Sequence, residues 1–148
     1  MKKILILGSE GFLGSVLVPY ILKNNNFYIV GIDKCFFGKN NKKVKNFKFY
    51  KKDYNQLNNK FFEKFDYIID LVNISNDPAS ELNQKFTYLT NFSNKVKLYK
   101  KIKNLRKLSR YIYMSSCSVY GNNKKLINEK SLPKPISLYS KLCLKYEN

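Results

Sequence analysis

At 148 residues the chain is the size of one domain, 1–148, long enough to bury about two-thirds of its unfolded surface. A hydrophobic content of 44% excludes a disordered chain, and no run approaches the ~20 apolar residues of a membrane span. The formal charge of +18 comes almost wholly from lysines scattered end to end, with only Arg106 and Arg110 as arginines, whereas phosphate and base readers recruit the bidentate Arg fork; this excludes a specific nucleic-acid partner and leaves salt-sensitive adhesion to polyanions.

Strand and helix signals alternate along the chain, as in an α/β parallel sheet. A short apolar run predicts a first strand over 4–7, and apolar residues at helical spacing predict a helix over 12–23, closed by Asn24-Asn25-Asn26. The second strand is expected over 27–32. A lysine- and asparagine-rich loop leads to the third over 47–51. A short helix comes next over 55–64 and a fourth strand over 67–72. One long helix is expected over 78–105, with Leu89, Phe92, Val96, Tyr99, Ile102 and Leu105 on its apolar stripe. A fifth strand covers 110–114, and a last helix begins near Ser137 after a loop with Pro133 and Pro135. The lysine pairs Lys42-Lys43, Lys51-Lys52, Lys100-Lys101 and Lys124-Lys125 read as solvated surface.

Gly8, Gly11 and Gly14 fall between the first strand and the first helix, in the run Gly8-Ser-Glu-Gly11-Phe12-Leu13-Gly14. In that place one glycine permits a tight turn, one lets backbone N–H groups approach a pyrophosphate, and one lets helix pack on strand. An ordinary βα turn would use the same glycines. The acid that ends the second strand, Asp33, lies 19 residues beyond Gly14, where a dinucleotide-binding unit places a carboxylate for the adenosine ribose hydroxyls. A carboxylate there repels a 2′-phosphate and favours NAD over NADP; Lys34, next in sequence, softens that preference. A solvated strand-end aspartate is the plain alternative.

The chain has no histidine, which removes Ser-His-Asp chemistry, Cys-His pairs and most zinc sites, so no metal is expected. Cys35, Cys117 and Cys143 are odd in number and lack a C-x-x-C pair, as in reduced cytosolic proteins. The apolar stretch after Lys2-Lys3 is too short and glycine-broken for a signal peptide. A cytoplasmic location is expected.

The fifth strand runs into Ser115-Ser116-Cys-Ser-Val-Tyr-Gly121, and Tyr139 stands 18 residues later in Ser137-Leu-Tyr139-Ser-Lys. With the glycine loop, Asp33, Lys52-Asp53-Tyr54, Leu71-Val72-Asn73-Ile-Ser-Asn-Asp-Pro78 and Asn91, this ordered set strongly resembles the extended short-chain dehydrogenase/reductases, the NAD-dependent nucleotide-sugar epimerases and dehydratases. The resemblance implies a Rossmann-type doubly wound parallel sheet with NAD on the glycine loop, including Phe12 and Leu13. It implies that Asp53 and Tyr54 flank the adenine and that Leu71, Val72 and Asn73 line the nicotinamide side. The family usually reads Leu-Ala-Ala there, so Val72 and Asn73 narrow the cleft. Asn91 would support the site from the long helix. Ser116 matches the serine that bonds the reacting sugar oxygen, and Tyr139 the acid/base tyrosine, with a nucleotide sugar as substrate.

Two departures stand out. The family pairs its tyrosine with a lysine four residues on, which grips the nicotinamide ribose and lowers the tyrosine pKa; here that position is Cys143. Lys141 and Lys145 point about 200° and 240° around the helix from Tyr139 and cannot substitute, while Glu147 keeps the family's spacing. The family's enzymes are also much longer. Their last sheet strands and substrate domain come after the tyrosine helix, in which this chain reaches Asn148. The expectation is therefore a truncated epimerase/dehydratase-like protein, weakly active or inactive alone, that associates with itself or with a complementary C-terminal chain. The alternative is a non-catalytic dinucleotide-binding or interaction module, one half of a split enzyme.

Overall fold

A computed structural model describes residues 1–38, 44–124 and 126–148. The pair Lys42-Lys43, the middle of the loop before the third strand, and Lys125 lie outside the described residues. Five apolar runs form strands: β1 (Lys2–Leu7), β2 (Phe27–Asp33), β3 (Phe47–Lys51), β4 (Tyr67–Asp70) and β5 (Arg110–Tyr113). They build one parallel sheet in the order β3-β2-β1-β4-β5. Ile4 pairs with Ile29 on one side and Tyr67 on the other, placing β1 at the centre. The chain steps outward through β2 and β3, then returns to the far side of β1, which makes the carboxyl ends of β1 and β4 the topological switch point of a doubly wound sheet.

The contacts divide the chain into two compact units: Met1–Val72 with Tyr99–Met114, and Asn73–Leu98 with Ser115–Asn148. The first holds the whole sheet. Helix α1 (Phe12–Leu22) lays Val18 against Ile4, Ile6, Ile29 and Ile69, while Leu5 and Leu7 alternate to the opposite face and are fully buried. Where one helix over 55–64 is expected, two short pieces form. Asp53 caps a 3-10 turn at Tyr54–Gln56, Leu57 is extended, and Asn58 caps α2 (Asn59–Phe62) by accepting from Phe61 N at 3.0 Å. Strand β4 stops at Asp70, two residues short of the expected Val72, because the Asp70 carboxylate takes the Val72 N–H at 3.0 Å.

The second unit corrects the long helix expected over 78–105. Asn76 caps α3 (Asp77–Leu82), the backbone breaks at Asn83 (φ −147°, ψ 86°), and Asn83 caps α4 (Gln84–Tyr88) through Phe86 N at 2.9 Å. A π-helical turn (Leu89–Ser93) then leads into α5 (Asn94–Ile102). Asparagine side chains that bond nearby N–H groups offer the backbone an alternative to the helical ladder, and here they win. The buried stripe also differs from the expected one: it is Asn91, Lys95, Leu98 and Ile102, and Tyr99 is exposed. Helix α6 (Leu138–Glu147) starts from Ser137, whose hydroxyl accepts from Ser140 N at 3.2 Å, and contributes Tyr139 and Cys143 to a small core with Val119. Among the described residues no helix is long and apolar enough to cross a membrane.

Candidate active site

At the switch point, Gly8 N donates to Ile32 O at 2.8 Å and Leu71 N donates to Leu7 O at 2.9 Å. Gly8 has φ +80°, and a Cβ on it would meet the Leu71 backbone at 3.1 Å. A Cβ on Gly14 would come within 2.5 Å of the carbonyl oxygens of Gly8 and Ser9, so α1 packs directly on the loop. Gly11 caps α1 with no side-chain acceptor, which leaves the helix's first N–H groups to an outside anion. Phe12 and Leu13 stand exposed at its start.

Asp33, half-buried at the end of β2, ties this loop to the next turn. Its Oδ2 accepts from Glu10 N at 3.0 Å and its Oδ1 from Cys35 N at 2.6 Å. Lys34 turns toward Asp53, with Nζ 3.0 Å from Asp53 Oδ2 and 5.2 Å from the centre of the Phe36 ring. Asp53 Oδ1 also accepts from Asn55 N at 2.9 Å and Asn55 Nδ2 at 2.8 Å. Burial pushes the Asp53 carboxyl up, but the Asn55 and Lys34 donors outweigh it and hold it below the usual carboxylate range. Tyr54 is buried beside it in sequence. Leu71 and Val72 are half-buried. These residues fit a dinucleotide: a close-approach glycine turn at a helix N-terminus suits a pyrophosphate, and a carboxylate at the end of β2 suits ribose hydroxyls.

In the second unit Asn91 is fully buried in the π-helical turn, and its amide clamps one backbone residue. Oδ1 accepts from Ile74 N at 2.8 Å and Nδ2 donates to Ile74 O at 3.1 Å. The Asn91 amide thus holds the segment just after Asn73. A π turn at such a place is common at functional sites.

Ser116 lies just ahead of a 3-10 turn (Cys117–Tyr120), where its hydroxyl accepts from Ser118 N at 3.2 Å. The Ser116 hydroxyl itself donates to Ser118 Oγ at 3.1 Å, with Tyr139 near its side chain, and Cys143 touches the same tyrosine from the next turn of α6. Burial first, then the Cys143 thiol, push the Tyr139 hydroxyl above its ordinary 10.0, against Ser116, which pulls it down. Lys145 is engaged elsewhere, 4.4 Å above the Phe92 ring and 5.5 Å from that of Tyr88, and Lys141 is exposed. Glu147 accepts from the Ser115 hydroxyl.

Three features escaped the sequence reading. Asp70 is fully buried and takes the Tyr111 hydroxyl at 3.0 Å as well as the Val72 N–H; an aspartate two residues before a strand-end amide is an Asx-turn signal that could have found it. Lys95 is buried, 6.0 Å from the Tyr146 ring. Lys101, expected as solvated surface, donates to Leu57 O at 2.8 Å and Asn55 O at 3.3 Å.

Comparison with known proteins decides the family. The sequence model described as the NAD dependent epimerase/dehydratase family matches residues 4–146. The chain belongs to the NAD dependent epimerase/dehydratase family. It is 35% identical to the dTDP-D-glucose 4,6-dehydratase of Dictyostelium discoideum, over 95% of this chain and 37% of that one. Among solved structures it is similar to the UDP-glucuronic acid 4-epimerase of Bacillus cereus in complex with UDP-glucuronic acid and NAD. The TM-score is 0.85 and the identity 26%, over 98% of this chain and 50% of that one. It is also similar to the UDP-N-acetylglucosamine 4-epimerase of Methanobrevibacter ruminantium M1 in complex with UDP-N-acetylmuramic acid. There the TM-score is 0.89 and the identity 26%, over 99% and 48%. The chain thus spans about half the length of these solved relatives and less of the dehydratase. Its sheet is the Rossmann-type sheet of an NAD-dependent family.

Proposed function

We propose that residues 1–148 form the NAD-binding part of a nucleotide-sugar epimerase or dehydratase. In this reading Asp33 is the ribose acceptor, and Ser116 and Tyr139 handle the proton of the reacting sugar hydroxyl. The observation that carries it is the buried Tyr139 with Ser116 near it, within a chain whose residues 4–146 match the family. Bound NAD would supply the site that takes up and returns a hydride. The chain's own part is to cradle the pyrophosphate at the uncapped start of α1, to orient the cofactor through Asp33, and to move a proton at the Tyr139 hydroxyl.

Turnover by this chain alone is expected to be weak or absent. An unperturbed tyrosine is only about 0.1% ionised at neutral pH, and Tyr139 is shifted further toward the neutral form. Cys143 supplies no cation to oppose that shift. The same feature favours a second reading, a non-catalytic dinucleotide-binding module. Calorimetric titration with NAD and NADP tests the cofactor assignment: tighter NAD binding, weakened in Asp33→Ala, supports it, and equal affinities overturn it. An assay with NAD and a panel of UDP-, GDP- and dTDP-sugars separates the two functional readings. Robust conversion abolished by Tyr139→Phe supports the enzyme and overturns the module.

The proposal extends to a cytoplasmic chain that associates with a second copy or a complementary polypeptide. Its support is the apolar surface that Leu82, Phe86, Tyr88 and Leu89 expose along α3, α4 and the start of the π-helical turn. Light scattering showing a clean monomer across micromolar concentrations overturns the self-association.

A further inference from the structure

Lys34 is a cation placed beside the acid that is meant to repel a 2′-phosphate. The Asp33 carboxylate binds Cys35 N at 2.6 Å, and Cys35 has φ +59°, so the chain turns sharply just after Lys34. A lysine at such a turn is the side chain that a 2′-phosphate would recruit. Its ammonium is instead 3.0 Å from Asp53 Oδ2, with the Phe36 ring 5.2 Å away. Asp53 is itself pre-oriented: Asn55 fills Oδ1 with two hydrogen bonds and leaves Oδ2 to face Lys34.

We infer that Asp53 is a specificity-determining residue for the cofactor, holding the Lys34 ammonium so that it does not serve a 2′-phosphate. The inference rests on the NAD-binding reading above and deepens it. Asp33 repels the extra phosphate, and Asp53 keeps the neighbouring cation from cancelling that repulsion. The pair is partly exposed, with Lys34 at 42% and Asp53 at 24%, so the effect is salt-sensitive and is best read as a ratio of affinities.

The test measures NAD and NADP affinities by calorimetry at low and high salt for wild type, Asp53→Asn, Lys34→Met and the double variant. Asp53→Asn keeps an acceptor for Asn55 and frees Lys34. The NAD-to-NADP preference is expected to narrow by about fivefold at low salt, less at high salt, and not at all in the double variant. Lys34→Met alone, which leaves the Asp53 cap intact, is expected to keep the wild-type ratio. A preference for NAD that grows in Lys34→Met shows an unrestrained lysine and overturns the inference. So does an unchanged ratio in Asp53→Asn, or a narrowing that persists in the double variant. Wild type that binds neither dinucleotide removes the cofactor reading, and this inference with it.

Discussion

Cys143 lies one turn beyond Tyr139 on α6, and the two side chains share one apolar cluster with Val119. A position that could carry the charge to prepare a phenolic base is thereby filled with a neutral, fully buried thiol. The tyrosine has Ser116 near it yet is kept in its acid form.

Cys143→Lys should reverse that shift. A cation within reach of the hydroxyl is expected to lower the Tyr139 pKa. Difference titration of tyrosinate absorbance against Tyr139→Phe variants checks it. An unchanged or higher value in Cys143→Lys would show that the thiol is not what separates this tyrosine from an activated one. NAD binding should tighten in the same variant.

Asn91→Leu tests the clamp on Ile74. The substitution keeps the bulk and leaves the Ile74 N–H and C=O without their side-chain partners, at an expected cost of about 2–4 kcal/mol. Urea unfolding reads the loss; a cost under about 0.5 kcal/mol would show that water replaces the clamp freely.

Acid should weaken the fold through Asp66. Its carboxylate accepts from Lys3 N at 2.8 Å and faces Lys2 and Lys107 at 3.5 and 3.7 Å. The Lys3 amide first, opposed by burial and then aided by the two lysines, holds its pKa below 3.8. A depressed folded-state pKa contributes stability above the unfolded value of about 3.9, and that stability is lost as pH falls through the folded value. Asp66→Asn should therefore be less stable than wild type at neutral pH and decline less below about pH 4. Parallel denaturation curves for the two proteins across that range would contradict the assignment.

The sheet was legible because its strands are short apolar runs punctuated by Gly, Asn and Lys; the third, Phe47–Lys51, agrees end to end. The helices were less so. Apolar spacing alone carried the expected helix over 78–105 through Asn83, whose side chain caps α4 while its backbone ends α3. Hydropathy could not place Asn91 and Lys95 on the buried stripe either, since both are polar. Motif order singles out Gly8, Asp33, Ser116 and Tyr139 as candidates for the site. It does not reveal the Lys34–Asp53 pair or the Asn91–Ile74 clamp, because they join residues 19 and 17 apart through side-chain orientation rather than pattern.

Gly14→Ala is expected to destabilise the fold by about 2–4 kcal/mol, since the added methyl would press on two backbone carbonyl oxygens rather than on yielding side chains. Thermal unfolding measures it. A variant as stable as wild type would mean that α1 can lift off the loop without penalty.

The central place of β1 also has a kinetic side. Lys3 is joined to Asp66 across 63 residues of chain, and no neighbour of β1 in the sheet is an antiparallel hairpin partner. Its pairing with β4 must wait for a long loop to close, and loop closure is entropically costly before any contact repays it. Until then the apolar run Ile4–Leu7 stays open to other chains. Refolding should accordingly be slow beside that of a helical bundle of the same length, and more sensitive to protein concentration.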